Sequence, residues 1–336
     1  MNNLLSLITI FVFIFLTTSG KEKVDTKNKI EEDDVASKYE IFFADPTIYF
    51  ENDKYYLTGT RDQEPFGFAI LESDNLQDWK SPKGKPRTMI LNKHDGAYGS
   101  EGFWAPQILK VDNDYLFTYT ANEQTVLAKS KSILGPYRQE KIEPIDGSEK
   151  NIDSYIFQDE DGKYYLYHVR FNKGNYLWVA EFDINKGKIK EETLKKCFDQ
   201  TEAWEATPNY PSDPILEGPT VVKMKSKYYL FYSANHFMNI DYAMGYATAD
   251  SPYGPWIKHK NSPVIHRSIV GENGSGHGDV FEGKDGQLYY VYHVHYSENK
   301  VIPRRTRIVP LVLKWNEESN LYDITVDAKK IIKPAQ

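Results

Sequence analysis

Residues 47–60 read TIYFENDKYYLTGT, which is a short apolar strand, a polar turn and an aromatic strand. Apolar and aromatic runs on either side of an Asn-Asp turn are typical of a β-hairpin. The pattern returns four more times, as QILKVDNDYLFTYT (107–120), YIFQDEDGKYYLYH (155–168), TVVKMKSKYYLFYS (220–233) and DVFEGKDGQLYYVYH (279–293). Recurrence of one hairpin at nearly regular spacing indicates a repeat architecture.

A second element follows several of these hairpins and contains an Ala or Gly strand, a Ser and an aromatic turn. It reads AILESDNLQDW (69–79), VLAKSKSILGPY (126–137) and GYATADSPYGPW (245–256), with a looser YLWVAEFD (176–183) in the third unit. A unit of about four strands is typical of a propeller blade. We therefore predict an all-β, five-bladed β-propeller with an axial active-site pocket. A β-sandwich is the alternative, but it would not need the same two-element unit around the whole chain.

The last apolar segment, TRIVPLVLKW (306–315), is predicted to complete the fifth sheet or to close the ring. No later stretch has the composition of a linker, so we predict one propeller domain over residues 39–336. Residues 21–38 are almost wholly polar and charged, which predicts a flexible linker.

Residues 4–16 (LLSLITIFVFIFL) form an apolar run that small and polar residues follow. The run is shorter than the roughly 20 residues of a transmembrane helix. It is typical of a secretory signal peptide, which we predict for residues 1–20, with an uncleaved membrane anchor as the alternative. We therefore expect an exported protein, periplasmic or extracellular. The one cysteine, Cys197, lies far from this segment, so we do not expect a lipoprotein.

The charge of the chain restricts its partners. The net charge of −7 and the pI near 5.7 argue against nucleic acid or an anionic membrane. Among the aromatic residues, the 25 tyrosines suit strands and sugar-facing surfaces. We expect a carbohydrate as substrate, no membrane contact once the signal peptide is removed, and a monomer.

One position before the first strand of each hairpin collects reactive side chains. Counting back eleven residues from the start of the second strand (Tyr115, Tyr164, Tyr228 and Leu288) leads to a Trp, two acids and a His. The shorter first unit gives a third acid ten residues before Tyr55. These residues are Asp45, Trp104, Asp153, Glu217 and His277. The first strand of a propeller blade lines the axis, so we expect all five to converge on one pocket. Acids that lie close together shift each other's pKa, a cost that function usually explains.

Acids and aromatic residues in an axial pocket favour glycoside hydrolysis. That reaction needs one protonated carboxyl group for the leaving oxygen and one ionised carboxylate that activates water or attacks the sugar. A separation of about 5 Å between them gives retention, and about 6.5–9.5 Å gives inversion. Carboxylates on different blades more naturally give the wider spacing. A third acid can raise the pKa of the proton donor while it stays ionised itself.

Five motifs in fixed order resemble glycoside hydrolase family 43 over residues 39–315. They are ADPT (44–47), WAPQI (104–108), NIDSYIFQDEDGKYYLY (151–167), EGPTVV (217–222) and GSGHGD (274–279). The resemblance implies an inverting five-bladed propeller, in a family of α-L-arabinofuranosidases, β-xylosidases, arabinanases and galactan-active enzymes. It implies that Asp45 is the general base, Glu217 the general acid, and Asp153 the acid that orients Glu217 and tunes its pKa.

The same resemblance implies further contacts. His277 matches a histidine beside a hydrated structural cation on the axis, often Ca²⁺, and no organic cofactor is expected. Trp104 matches an aromatic of the sugar-binding wall, and Arg307 matches an arginine that points into the sugar subsite. Phe43, next to the first motif, is a further candidate substrate contact.

The chain departs from the family pattern at two places. Ser154 follows the third acid, where the family often has Pro, and this changes nothing chemical. Gly278 and Asp279 follow the histidine, where Asn or Ser is common. Because calcium prefers oxygen ligands, the second departure leaves the metal and its identity open.

We expect an exo-acting hydrolase that releases arabinofuranose or xylose from plant-type polysaccharides or their oligosaccharides. A galactofuranosidase or galactan-active enzyme is the alternative within this fold. A related retaining enzyme would use Asp45 as nucleophile, and a non-catalytic carbohydrate-binding propeller is the alternative of another class. Residues 197–214, with Trp204 and Tyr210, are predicted either to wall one side of the pocket or to be a surface excursion.

Overall fold

The computed structural model describes residues 40–61, 66–93, 95–147, 149–208 and 213–336. The predicted signal peptide (1–20) and the whole of the predicted linker (21–38) therefore lie outside the described residues. Five antiparallel sheets follow one another along the described chain and form the blades of the predicted propeller. No helix in these ranges is long and apolar enough to cross a membrane.

Each blade takes its strands consecutively from the chain. Blades 1 and 2 contain β1 Ala44–Glu51, β2 Lys54–Thr60, β3 Gly67–Ser73 and β4 Thr88–Asn92, then β5 Trp104–Val111, β6 Asp114–Ala121 and β7 Gln124–Ser130. Blade 3 contains β8 Asn151–Gln158, β9 Tyr164–Phe171, β10 Asn175–Asp183, β11 Lys188–Ile189 and β12 Lys195–Lys196. Blades 4 and 5 contain β13 Leu216–Met224, β14 Lys227–Ala234, β15 Ala243–Ala249 and β16 Ile257–Lys258, then β17 Gly276–Glu282, β18 Leu288–Val294, β19 Arg305–Asn316 and β20 Leu321–Val326. The predicted segment 306–315 thus lies in the third strand of the last sheet.

Helical structure is confined to short connections. The described chain has one α-helix, α1 Arg267–Val270, and the 3₁₀ turns Pro82–Gly84, Glu191–Thr193, Ala203–Glu205 and Ala328–Lys330. The turns between the first two strands differ in length. Two residues connect them in blades 1, 2 and 4, whereas blades 3 and 5 use longer turns that contain Gly162 and Gly286 at positive φ.

The apolar core is divided among the junctions between blades. Each pair of neighbouring blades shares one cluster of buried residues. Between blades 1 and 2, for example, the Phe68 ring lies 5.0 Å from Phe117 and 5.5 Å from Tyr119. Burial of one such side chain stabilises the fold by about 1.5–3 kcal/mol. The aromatic second strands therefore hold the blades to one another.

The chain ends close the ring between blades 5 and 1. Thr306 donates its backbone N–H to Ile41 at 2.9 Å, and Ile332 donates to Ile308 at 2.8 Å. Trp79 in blade 1 donates to Ala335 at 2.8 Å. The last residues are thus attached to both blades, and the first strands of all five blades surround one axis.

Candidate active site

Every blade has a β-bulge in its first strand, and each bulge places one residue at positive φ. These bulge residues are Asp45 (φ 45°), Ala105 (φ 45°), Asp153 (φ 56°), Gly218 (φ 60°) and His277 (φ 40°). The pairing register shifts at each of these points. The left-handed region costs an L-residue roughly 1–2 kcal/mol. The bulge with its positive φ recurs in all five blades, so it is a conserved feature of the repeat unit that redirects side chains at the end of the first strand.

The bulges shift the predicted register by one residue in two blades. The bulge residue is Ala105 in blade 2 and Gly218 in blade 4, so Trp104 and Glu217 lie one position earlier. The turns explain the difference. Five residues separate the pairs Gln158–Tyr164 and Glu282–Leu288, whereas four separate the corresponding pairs in blades 2 and 4. A count of eleven from the second strand therefore passes the bulge by one residue in blades 2 and 4.

Glycine is required at the bulge of blade 4. Gly218 has φ +60°, and a Cβ atom there would lie 2.7 Å from Cδ2 of His277. A side chain at this position would displace the His277 ring. Glycine therefore allows the His277 ring of the next blade to lie against the backbone directly after Glu217.

Asp45 is buried among basic and hydroxyl groups. Its Oδ1 lies 3.0 Å from Arg304 Nη1 and 3.4 Å from His277 Nδ1. Thr60 donates its hydroxyl to Oδ2 at 2.6 Å. Burial alone would raise the pKa of Asp45, but Arg304, His277 and His293 together outweigh burial and hold this pKa well below its usual range. The Asp45 carboxylate is therefore ionised at neutral pH.

Asp153 and Glu217 have the opposite electrostatic environment. Burial raises the pKa of Glu217 to about 7, even though Tyr242 donates a 2.7 Å hydrogen bond to its Oε1. Burial, the charge of Glu217 and the charge of Asp45 raise the pKa of Asp153 well above its usual range. These two acids together retain a proton near neutral pH, unlike Asp45.

His277 lies between the two aspartates. Its Nδ1 is 3.4 Å from Asp45 Oδ1 and 4.0 Å from Asp153 Oδ2. Burial lowers the pKa of His277, although Asp45 acts in the opposite direction. The structure thus brings the three predicted acids and the predicted histidine together at one end of the first strands.

The axis between these groups and Asp279 has little room for a cation. A cavity of about 20 Å³, lined in part by Gln107 and Tyr155, has space for about one water molecule. Asp279 beside it accepts hydrogen bonds from Thr47 at 2.6 Å and Thr220 at 3.2 Å. Within the described ranges, no group of three or more His, Cys, Asp or Glu is placed to hold a metal ion. These residues do not fit a Ca²⁺ ion that the protein alone coordinates. The hydrated cation stays a prediction, and water would supply most of its ligands.

The structure places the three predicted substrate contacts differently from one another. Trp104 is 39% exposed at the beginning of β5, as a sugar-stacking side chain requires. Phe43 is buried in the core between blades 1 and 5. Arg307 is fully buried and donates to Glu272 at 2.8 Å and to Glu40 at 2.9 Å. Neither Phe43 nor Arg307 is brought to the acids.

The arginine that contacts Asp45 is Arg304, which sequence reasoning missed. Its guanidinium carbon also lies 4.7 Å from the centre of the Phe237 ring. The motif RRTR (304–307) offers three arginines, and the alternation of a strand does not decide which one reaches the axis. Tyr242 was missed as well, because it lies after a loop and outside the repeated hairpin.

Residues 197–208 pack against blade 4. The Trp204 ring lies 5.4 Å from Tyr232, and buried Glu205 accepts a hydrogen bond from Lys258 at 2.6 Å. The described part of this segment is therefore packed against blade 4, and its place in the pocket wall stays a prediction. Tyr210 lies outside the described residues.

Comparison with known proteins agrees with the propeller described above. The sequence profile of glycosyl hydrolases family 43 matches residues 39–319. The chain belongs to this family. A solved endo-1,4-β-xylanase from Bacteroides thetaiotaomicron is 38% identical, with a TM-score of 0.80, and the match covers 88% of this chain and 97% of that one. The predicted five-bladed fold is therefore confirmed.

Two curated relatives in family 43 carry different activities. A β-D-galactofuranosidase of Aspergillus niger is 27% identical, over 85% of this chain and 83% of its own length. A xylan 1,3-β-xylosidase of a Vibrio species is 25% identical, over 74% of this chain and 47% of its own length. Family membership makes the protein a glycoside hydrolase with a carbohydrate substrate.

Proposed function

We propose that the protein is an inverting, exo-acting glycoside hydrolase that releases arabinofuranosyl or xylosyl residues from plant-type polysaccharides or oligosaccharides. One observation carries the mechanism. Two buried carboxyl groups on one axis, Asp45 and Glu217, have pKa values moved in opposite directions from their ordinary values. Such a pair supplies an ionised base and a protonated acid at the same pH.

The proposed roles follow from these charge states. Asp45 accepts a proton from a water molecule as its oxygen bonds to the anomeric carbon. Glu217 gives its proton to the leaving oxygen as the glycosidic bond breaks, and it must be protonated again before the next turnover. Asp153 lies near both acids and accepts a 3.4 Å hydrogen bond from the backbone N–H of Gly218, directly after Glu217. We propose that Asp153 orients the Glu217 segment.

The substrate side of the proposal rests on Trp104 and on the place of the acids. The half-exposed indole offers an apolar face on which a sugar ring can stack. The acids lie at the ends of the innermost strands, so a chain terminus that enters along the axis would meet them. This arrangement favours release of single sugars from a chain end.

Hydrolysis of nitrophenyl arabinofuranoside, xyloside and galactofuranoside, beside arabinan, xylan and galactan, tests the substrate. We expect the arabinofuranoside or the xyloside to be cleaved fastest, with monosaccharide as the first product. Proton NMR of the first-formed anomer tests the mechanism, and inversion is the expected result. Retained configuration would make Asp45 a nucleophile and overturn the assignment of a base.

A galactofuranosidase is the second candidate within the same fold. The observation that favours it is the Aspergillus niger β-D-galactofuranosidase, which matches 85% of this chain. Preferential cleavage of the galactofuranoside in the same panel would select it. Binding of these glycans without turnover would instead identify a carbohydrate-binding propeller. The three acids, all retained and buried together, favour an enzyme over that alternative.

We also propose that the protein acts outside the cytoplasm. The apolar run at residues 4–16 and the charged residues after it support export. Detection of a processed chain in the medium or the periplasm of an expressing cell would test this. A chain that keeps residues 4–16 and stays in the membrane fraction would instead indicate an anchor.

A further inference from the structure

Hydrogen bonds between side chain and backbone connect neighbouring blades at the bulges. In each blade, one residue of the second strand pairs with the residue directly before the bulge. In four blades, the side chain of this residue accepts the N–H of the bulge residue in the next blade. These bonds run from Ala105 to Thr60 (2.9 Å), Asp153 to Thr120 (2.9 Å), His277 to Ser233 (2.7 Å) and Asp45 to His293 (3.2 Å). We call these four acceptors, with Val169 of blade 3, the second-strand ring.

Val169 is the exception in the second-strand ring. It pairs with Ile152 as the other members pair with their partners, but its side chain has no acceptor. The bulge N–H of the next blade, that of Gly218, instead points to Asp153 Oδ2 at 3.4 Å. Two members of the ring contact a carboxyl group of the site, because Thr60 and His293 both lie against Asp45.

Thr60 makes two hydrogen bonds whose directions can be assigned. Its Oγ1 lies 2.9 Å from the backbone nitrogen of Ala105, which can only donate. The same Oγ1 lies 2.6 Å from Asp45 Oδ2. A hydroxyl has a single proton, and the bond between Ala105 and Thr60 uses the proton of the Ala105 N–H. The Thr60 proton is therefore directed at Asp45, and Thr60 is 1% exposed, so water does not compete for it.

We propose that Thr60 is a positioning residue for the general base, which fixes the orientation of the Asp45 carboxylate and favours its ionised form. The proposal rests on the proposed function, because it assigns Thr60 a role in that reaction. With Thr60 on Oδ2 and Arg304 on Oδ1, each carboxylate oxygen has its own donor. Rotation of the carboxylate would break both bonds. Donors to the charged form stabilise it, so the hydroxyl keeps Asp45 ready to accept a proton.

Thr60→Ala and Thr60→Ser differ by one oxygen and isolate the hydroxyl. Asp45 is followed by ¹³C NMR of the aspartate carboxyl groups, assigned with Asp45→Asn, and the pH profile of kcat/KM is measured on the best aryl glycoside. In Thr60→Ala we expect the Asp45 titration and the acid limb to move upward by about 1 pH unit relative to Thr60→Ser. Thr60→Val, which keeps the shape of threonine, gives the same comparison if the alanine variant does not fold.

Thr120→Ala is the matched control, because Thr120 has the same place in the second-strand ring but bonds the backbone of Asp153 and not the Asp45 carboxylate. We expect it to lose stability and to leave the Asp45 titration unchanged. If Thr60→Ala and Thr60→Ser titrate alike, the hydroxyl is only structural and the proposal is wrong. The NMR titration needs no turnover. A protein that cleaves nothing, yet whose Asp45 responds to the hydroxyl, would overturn the proposed function and leave the Thr60 contact standing.

Discussion

Blades 1 and 4 each bury a carboxyl group at the beginning of their first strand, but they surround it differently. Asp45 is 7% exposed and Glu217 is 8% exposed, so burial is nearly equal. Asp45 receives a cationic donor, Arg304, whereas Oε1 of Glu217 receives the neutral hydroxyl of Tyr242. The pKa of Asp45 is lowered and that of Glu217 is raised to about 7. Equal burial thus gives opposite charge states, and the partner decides which one.

Asp45→Asn removes the ionised carboxylate of blade 1. Asn tolerates the φ of 45° at this bulge, so the fold should survive better than with Ala. We expect kcat to fall about 10²–10⁴-fold on every substrate, since no base remains to accept the proton of water. Asp159→Asn is the control, because Asp159 is also buried and pairs with Lys223 at 2.9 Å, but lies at a turn. Equal activity of the two variants would contradict the assignment of the base.

Glu217→Gln removes the acid of blade 4 and leaves its shape. Natural glycosides should lose about 10²–10⁴-fold in kcat, because their leaving oxygen needs a proton. Dinitrophenyl glycosides should lose far less, because that leaving group departs without one. Steady-state rates on both substrate types check this difference. A uniform loss on both types would show that Glu217 is not the proton donor.

Tyr242→Phe tests how the hydrogen bond to Glu217 sets the pH dependence of activity. Activity should fall as pH rises through about 7, where Glu217 loses its proton. The Tyr242 hydrogen bond favours the ionised form of Glu217, so Tyr242→Phe raises this pKa and moves the basic limb of kcat/KM upward by up to about 1 pH unit. Tyr246→Phe is the control, because the Tyr246 hydroxyl accepts a bond from the Ile324 backbone. A basic limb that stays in place would argue against Glu217 as the titrating group.

Much of the fold could be predicted from the sequence because its signals are local. The alternation of each hairpin and its turn residues lie within a few positions of one another, and five copies reinforce the pattern. The approximate place of Asp45, Asp153 and His277 followed from the same repeat. The register of Trp104 and Glu217 did not, because one extra residue between the paired ends of a hairpin shifts the count without changing the pattern.

The partners of the acids could not be predicted in the same way. Arg304 lies 259 positions from Asp45 along the chain, and Tyr242 lies in a connection that no repeat describes. Arg307 was the arginine chosen from the motif, but it is paired with two partly buried glutamates, Glu272 and Glu40. Contacts made when the ring closes depend on strand register across blades, which a hairpin pattern does not contain.

The smallest expected effect comes from Val169→Thr, which would complete the second-strand ring. Thr has nearly the shape of Val, and its hydroxyl would offer the Gly218 N–H an acceptor in place of Asp153 Oδ2. That bond lowers the pKa of Asp153, so its loss should raise this pKa further and reduce kcat/KM by about 2–10-fold, as expected for one neutral hydrogen bond. Measurement of kcat/KM against pH and of the Tm would separate this effect from simple destabilisation.

Val179→Thr is the matched control for that prediction, because Val179 is also fully buried in blade 3 but pairs with Tyr167 and Lys195, away from the bulge. Both variants bury an extra hydroxyl and should lose stability. Only Val169→Thr should change the pH profile, since only its hydroxyl can compete for the Gly218 N–H. If both profiles match the wild type, the break in the ring is incidental, and the Asp153–Gly218 contact does not tune the acid pair.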